Sequence, residues 1–443
     1  MEGRVDSADV PATDRGGRWS GLASVAAPLA TALRDPGTVL PLVFIAALLV
    51  RAAWIDVPPH TLIFDESYYV NAARTLLGWP VAEGAPYAGS PPFLDPNIEH
   101  PPLGKLAIAA SMLVFGDTGL AWRLPSLIAG MIALAAVYSI VRAAGETVWL
   151  AILAVAFLAF DNLTFVHGRL GTLDMLALAP VLVGAWLALR ERWALAGVAI
   201  ALGVLVKLTA GFGLIAVLLL LALRLLDTWR RERRLDGSDV RRGLVLVVAF
   251  GVVFVAGLWL LDARFTTFAT PLDHVRHMLE YGASLKETTH REGICSGISS
   301  VPWQWPLNEC QINYLRVAVT VQSGETVASS VPTVDFRGAL NPILAGAIPL
   351  ASLFTFWFAW RGGNPLARWA VAWGLANWLP YVVLSIVNQR VMYLYYFLPS
   401  IPAVAIAAAI LLLRSGLPRF VTWGFIAAFA IGFLAYFPFR VIP

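Results

Sequence analysis

Asp65 and Glu66 are adjacent carboxylates in the stretch LIFDESYYVNAARTLLG, residues 62–78, just after the first long apolar run. A third acid, Asp174, opens another apolar run in VHGRLGTLDML. Lys105, Arg123, Arg169 and Arg390 each flank an apolar run as well. A carboxylate can take a proton from an incoming hydroxyl, and cations can stabilise a phosphate as it leaves. Arg presents a planar fork and Lys a point charge, and both suit phosphate. Acid and cations on one surface are therefore the parts of a group transfer. A plainer reading has Asp65 and Asp174 capping the helices that follow them, since Asp is a favoured N-cap. Under that reading the cations pair with Asp65, Glu66, Glu99 or Asp174 and bind nothing else.

Whether those residues share a surface depends on the elements between them. The chain has 443 residues, 58% apolar and 14% charged, with a mean hydropathy of +0.72. A soluble domain carries about a quarter charged residues. Apolar runs recur along the length, closed by Arg, Pro or Gly, and predict an all-α polytopic membrane protein. A window reading gives about eleven spans: Val39–Trp54, Leu124–Val141, Val148–Phe160, Met175–Leu189, Ala194–Val206, Gly211–Leu226, Leu244–Leu261, Leu340–Trp360, Trp369–Val387, Val391–Leu413 and Phe420–Phe437. The short run LGKLAIAASMLVFG carries Lys105 and predicts a helix lying at the membrane interface, closed by Arg123 in WRLPS. Residues 1–38 are polar, rich in Gly, Pro and Ala, without a cleavable apolar core, and predict a disordered cytoplasmic tail.

The cluster TWRRERRLDGSDVRR, residues 228–242, fixes one loop as cytoplasmic. Counting outward puts the N-terminus, Arg142, Arg190 to Arg192, Arg361 and Arg414 on that side. Asp65, Asp174 and the four cations fall on the opposite, extracytoplasmic face, within or beside outer loops at 55–123 and 262–338. Cations on the face that the rule leaves poor in positive charge point to a bound anion, and a lipid phosphate is the anion at hand. The net charge of +4 comes from these short clusters and indicates no nucleic-acid partner. Cys295 and Cys310 both lie in the second outer loop, where they are either a disulfide or two separate thiols. Trp303 and Trp305 either stack on a sugar or peptide or settle at the interface as aromatics do.

Seven motifs in order, FDESYYV, EHPPLGK, WRLPS, RLGTLD, KLTAG, PWQWPL and QRVMYLYYFLPSIP, resemble the dolichyl- or polyprenyl-phosphate-mannose–protein mannosyltransferases in their bacterial form. The likeness runs from about Val39 to the C-terminus. It implies the GT-C membrane fold for 39–443, shared with the more distant lipid A aminoarabinose transferases. It further implies Asp65 as catalytic base, Glu66 as its partner and Asp174 as the second acidic position. Lys105, Arg123, Arg169 and Arg390 are implied around the donor phosphate. Glu99, His100, His290, Trp303 and Trp305 are implied on the acceptor side. The loop departs from the family after His290, where REGICSGISSV replaces a His-Pro-Tyr continuation. It departs again after PWQWPL, where NECQINYL replaces an Arg-Pro segment.

The expected activity is inverting transfer of mannose from a polyprenyl-phosphate donor to Ser or Thr of a secreted or membrane protein. The expected setting is the plasma membrane, with the N-terminus cytoplasmic, the site outside, and the secretion translocon as a partner. No metal site is assigned. A glycolipid or cell-wall glycan acceptor is the near alternative. A transporter is the distant one, disfavoured because the charges gather at one face rather than at mid-span.

Overall fold

A computed structural model of the chain describes residues 34–233, 237–286, 295, 298–323 and 326–440. The described residues form α1 (Pro36–Ala52), α2 (Glu66–Leu76), α3 (Leu103–Phe115), α4 (Gly119–Ala143), α5 (Val148–Ala159), α6 (Asn162–His167), α7 (Leu173–Leu189) and α8 (Trp193–Val204). They continue with α9 (Phe212–Glu232), α10 (Gly237–Phe265), α11 (Pro271–Ser284), β1 (Ile312–Ser323), β2 (Thr326–Gly338), α12 (Pro342–Arg361), α13 (Pro365–Asn388), α14 (Ile401–Arg414) and α15 (Arg419–Ala435). Among them six helical stretches are long and apolar enough to cross a membrane: Gly119–Ala143, Leu208–Glu232, Gly237–Phe265, Pro342–Arg361, Pro365–Asn388 and Leu394–Arg414. Further apolar helices of 10–17 residues, α1, α3, α5, α7, α8 and α15, pack with them. Exposed Leu, Val, Phe and Trp on α10, α12 and α15 make the apolar exterior that a bilayer requires.

The helix starts follow cap chemistry. Asp35 accepts from Gly37 N at 3.1 Å and starts α1 at Pro36, three residues before the expected span. Thr118, Thr147, Asn341 and Asn364 cap α4, α5, α12 and α13 in the same way. The expected tail up to residue 33 lies outside the described residues.

Two features differ from the sequence expectation. The long loop at 262–338 is not all irregular: β1 and β2 pair antiparallel from Ile312↔Gly338 to Ser323↔Thr326. The run NYLRVAVTV alternates and is rich in β-branched residues, which suits a pleated strand. Near its base Val334 bridges Phe439, so the C-terminal residues lie alongside β2. Second, Arg123 does not close the helix that carries Lys105. Gly116, at φ 75°, ends α3, and Arg123 sits in the first turns of the separate helix α4.

Candidate active site

Asp65 stands at the N-cap position of α2, yet its side chain makes no capping bond. Among the described residues its carboxylate has no hydrogen bond or ion pair. The residue before it, Phe64, holds φ at 55°, a strained value for a bulky side chain. Phe64 is held there by stacking on Tyr314 at 4.2 Å and by an edge contact with Tyr395 at 5.5 Å. The backbone is thus bent, and the carboxylate left unengaged, where the sequence placed the base. Burial first, then the Asp174 charge, push the Asp65 carboxyl up to about 6, against the pull of Lys207 and His167.

Asp174 lies in the first turn of α7 and does not cap it either. It pairs with Lys207 Nζ at 2.7 Å, and His167 Nδ1 lies 3.3 Å from its other oxygen. Lys207 follows α8, where the chain leaves the helix for a short 3₁₀ turn. Its ammonium faces the Tyr395 and Tyr396 rings at 5.4 and 5.7 Å. Burial opposes its charge, but the Asp174 carboxylate outweighs that and holds Lys207 above the usual lysine range. Asp174 takes one of its three N–H groups. Asp174, Lys207, Asn377, Tyr381, Tyr395 and Tyr396 line a cleft beside α7. Arg390 reaches the same aromatic group, 6.0 Å from the Tyr396 ring. Its Nε is buried without a partner, and its guanidinium bonds to nothing among the described residues.

The structure gives Glu66 and the other three cations different work. Glu66 is fully buried. Its Oε1 accepts from Arg123 Nε at 2.8 Å and Gly171 N at 2.7 Å, and its Oε2 from Arg123 Nη2 at 2.9 Å and Ile63 N at 2.7 Å. Arg123 also donates to the Ile55 and Thr61 carbonyls. This bidentate knot ties α4 to the 55–66 segment and the 168–172 turn. Gly171 belongs to it, because a Cβ there would come 2.7 Å from the Trp122 carbonyl oxygen. Removing one partner of a buried pair strands the other charge, at about 3–5 kcal/mol. Glu66→Ala is therefore expected to lower the thermal midpoint and folded yield sharply, read by a thermal-shift assay in detergent. A stability equal to the parent's would show the knot to be dispensable.

Lys105 is equally occupied. It pairs with buried Asp95 at 2.6 Å and donates to the Asn97 and His100 carbonyls, which leaves no N–H for a phosphate. Arg169 donates to the Ala53 and Trp54 carbonyls, and its guanidinium lies against Phe165, Phe336 and Phe439. The expectation that Lys105 and Arg123 hold a donor phosphate thus meets groups already spent on the fold, whereas Arg169 keeps its Nε and Nη1 buried without a hydrogen-bond partner. The sequence shows cations beside apolar runs but not which carboxylates and carbonyls meet them.

Lys105 instead shapes the loop that presents Glu99 and His100. Glu99 accepts from Asn97 Nδ2 at 2.8 Å. Burial, then the charges of Lys207 and Lys105, hold the His100 imidazole well below its usual value, so it is neutral. His274 of α11 pins the same loop through the Ile98 carbonyl at 2.9 Å. Trp303 is 50% exposed, whereas Trp305 is fully buried against Tyr381, Tyr396 and Phe397. His290 lies outside the described residues.

Cys295 and Cys310 are bonded, with a sequence separation of 15. Closing a loop of that length contributes about 3 kcal/mol by loop entropy. Cys295→Ser is expected to lose stability of that order, and the unreduced parent to resist alkylation. Two freely alkylatable thiols in unreduced parent protein would contradict the bond.

Sequence reasoning assigned no role to Lys207, His167 or Tyr314. Lys207 carries the signal that selected Lys105, a cation between two apolar runs. Only the fold separates the two: Lys105 meets Asp95 and the Asn97 and His100 carbonyls, whereas Lys207 meets Asp174 alone among the described residues.

Residues 99–259 match the family model described as dolichyl-phosphate-mannose-protein mannosyltransferase. That match covers 161 of the chain's 443 residues. A polyprenol-phosphate-mannose–protein mannosyltransferase of Mycobacterium tuberculosis is 32% identical over 114 residues. That stretch is 26% of this chain and 20% of the relative, so the alignment spans a fifth of the relative's length. Over the whole chain the likeness is one of fold. The Saccharomyces cerevisiae protein O-mannosyltransferase Pmt1-Pmt2 complex bound to the sugar donor superposes with a TM-score of 0.67 at 11% identity. It covers 91% of this chain and 90% of that one. ArnT from Cupriavidus metallidurans bound to undecaprenyl phosphate gives 0.53 at 22% identity, over 88% of this chain and 62% of that one. The expected GT-C architecture is therefore present, in a membrane-embedded helical protein.

Proposed function

We propose that the protein transfers mannose from a polyprenyl-phosphate donor to a Ser or Thr hydroxyl of a polypeptide, in a single inverting displacement. The observation that carries this reading is an unengaged carboxyl, Asp65, next to a cation, Lys207, with N–H groups to spare. Asp65 takes the hydroxyl proton as the acceptor oxygen forms its bond to the anomeric carbon. The bond from that carbon to the phosphate oxygen breaks, and polyprenyl phosphate leaves with the electron pair. Lys207 and Arg390 meet the charge that gathers on the leaving phosphate. Asp174 keeps Lys207 charged and aimed. The relative from Mycobacterium tuberculosis bears the donor and acceptor class in its name, which supports the reading.

In this reading the site faces outward, the N-terminus lies in the cytoplasm, and acceptors arrive unfolded, as from a secretion translocon. The test offers purified protein in lipid nanodiscs one labelled polyprenyl-phosphomannose with either Ser/Thr peptides or a glycolipid. Label on the peptide supports the reading. Label on the glycolipid alone moves the acceptor class, and donor bound but never consumed turns the reading towards transport.

A further inference from the structure

A second cluster of charges lies at the end of the bundle opposite Asp174. Asp174 opens α7, and Glu191 follows the end of that helix, so its whole length separates them. Glu191 holds φ at 58°, a value few non-glycine residues adopt. Three donors meet its carboxylate: Trp193 Nε1 at 2.9 Å, Arg224 Nη1 at 3.0 Å and Arg242 Nε at 2.9 Å. Asp239 is buried beside it and takes Arg242 Nη1 at 2.5 Å and Arg224 Nη2 at 3.4 Å. This knot ties the turn after α7 to α9 and α10, and its two carboxylates balance its two guanidiniums.

Arg192 and Arg241 stand outside that balance. Both are exposed, and neither side chain has a hydrogen bond or ion pair among the described residues. They line one surface cavity of about 360 Å³, which Glu191, Trp193, Leu195 and Val245 also line. The backbones of α8 and α10 touch next to it, since a Cβ at Gly197 would come 2.4 Å from the Leu246 carbonyl oxygen. The cavity is thus rigidly framed and carries two charges that the fold does not use.

From the cavity an apolar stripe runs along α10. Val245, Val248, Val252, Val255 and Trp259 recur at the three- and four-residue spacing of one helix face, and each is 39–62% exposed. Gly251, Val252, Val255 and Trp259 line an apolar hollow of about 500 Å³ on this stripe. From Arg241 to Gly251 the helix rises about 15 Å, half the roughly 30 Å hydrocarbon core of a bilayer. A headgroup held at Arg241 would therefore bring the end of its acyl chain to the hollow.

We propose that this cavity binds the phosphate of an anionic glycerophospholipid, with Arg192 and Arg241 on the headgroup and an acyl chain laid along the Val245–Trp259 face of α10. Guanidinium forks suit a phosphodiester. A zwitterionic headgroup adds a cation that two unpaired arginines oppose, so the site selects net negative lipids. A soluble anion would leave Leu195, Val245 and the stripe uncovered, whereas a lipid covers both ends of the feature at once.

The purified full chain in detergent micelles is exposed to an equimolar mixture of phosphatidylglycerol and phosphatidylcholine with the same acyl chains, and native mass spectrometry reads which lipid stays bound. The parent is expected to retain phosphatidylglycerol over phosphatidylcholine by about tenfold or more, as two cations at a membrane surface give. Arg192→Gln together with Arg241→Gln should bring the two lipids within about twofold while folding like the parent, since neither guanidinium bonds to the fold. Arg361→Gln with Arg419→Gln removes the same charge from residues that do not line the cavity, and should leave the preference as it is. Equal retention by the parent, a preference that survives loss of Arg192 and Arg241, or one lost equally in the Arg361 and Arg419 pair overturns the proposal. So does release of the bound lipid by glycerol phosphate, which would make the cavity a site for free phosphate.

Discussion

Asp65→Asn is expected to insert, fold and bind donor like the parent, and to lose transfer by a factor of about 100 to 10,000, the usual contribution of a positioned base. The amide keeps the shape of the carboxylate but cannot accept the proton. Folding should be spared because the Asp65 side chain makes no cap bond and no ion pair among the described residues. The neighbouring acid behaves oppositely, since Glu66 is fixed by four donors. The parent's rate should also carry an acid limb. Burial and Asp174 raise the Asp65 carboxyl to about 6, so the base is lost as pH falls through that value. Single-turnover rates across pH check both statements. A variant turning over within a few-fold of the parent would remove Asp65 from the chemistry.

The second large effect falls on Lys207. Lys207→Met keeps the length and apolar body of the side chain and removes its charge. Loss of one preorganised charge stabiliser costs about 100- to 1,000-fold in rate. Donor affinity should fall as well, but less, because the leaving phosphate carries more charge in the transition state than in the bound diester. The uncompensated Asp174 charge should in addition raise the Asp65 carboxyl further and carry the acid limb upward. Donor binding and single-turnover rates on the same preparation measure all three. Unchanged affinity and rate would place the phosphate elsewhere, with Arg390 as the cation then to be tested.

The long apolar runs, the gathering of Asp65 and Asp174 at one place, and the pairing of the two cysteines are legible because hydropathy, charge bias and spacing are local properties. What was not legible is who pairs with whom. Lys105, Arg123, Arg169 and Lys207 look alike in sequence, each a cation beside an apolar run. Their fates diverge through contacts far along the chain: Arg123 meets Glu66 across 57 residues, and Lys207 meets Asp174 across 33. The Asp-cap alternative was equally open on paper. It fails because Asp65 and Asp174 make no cap bond where they stand. The β1–β2 hairpin is hard to read because the alternation in NYLRVAVTV is short and partly apolar on both faces, beside much longer apolar runs. That difficulty also hides Tyr314, which only the hairpin brings to His167.

The central claim is that Asp65 draws a proton from a polypeptide hydroxyl while Lys207 meets the departing phosphate. Its most direct measurement is the mass of a Ser/Thr peptide after incubation with purified protein and polyprenyl-phosphomannose, run in parallel with Asp65→Asn. A hexose added by the parent and absent with the variant, while both bind donor equally, is the predicted result. A peptide left unmodified by a parent that binds donor, or modified equally by both proteins, would contradict it.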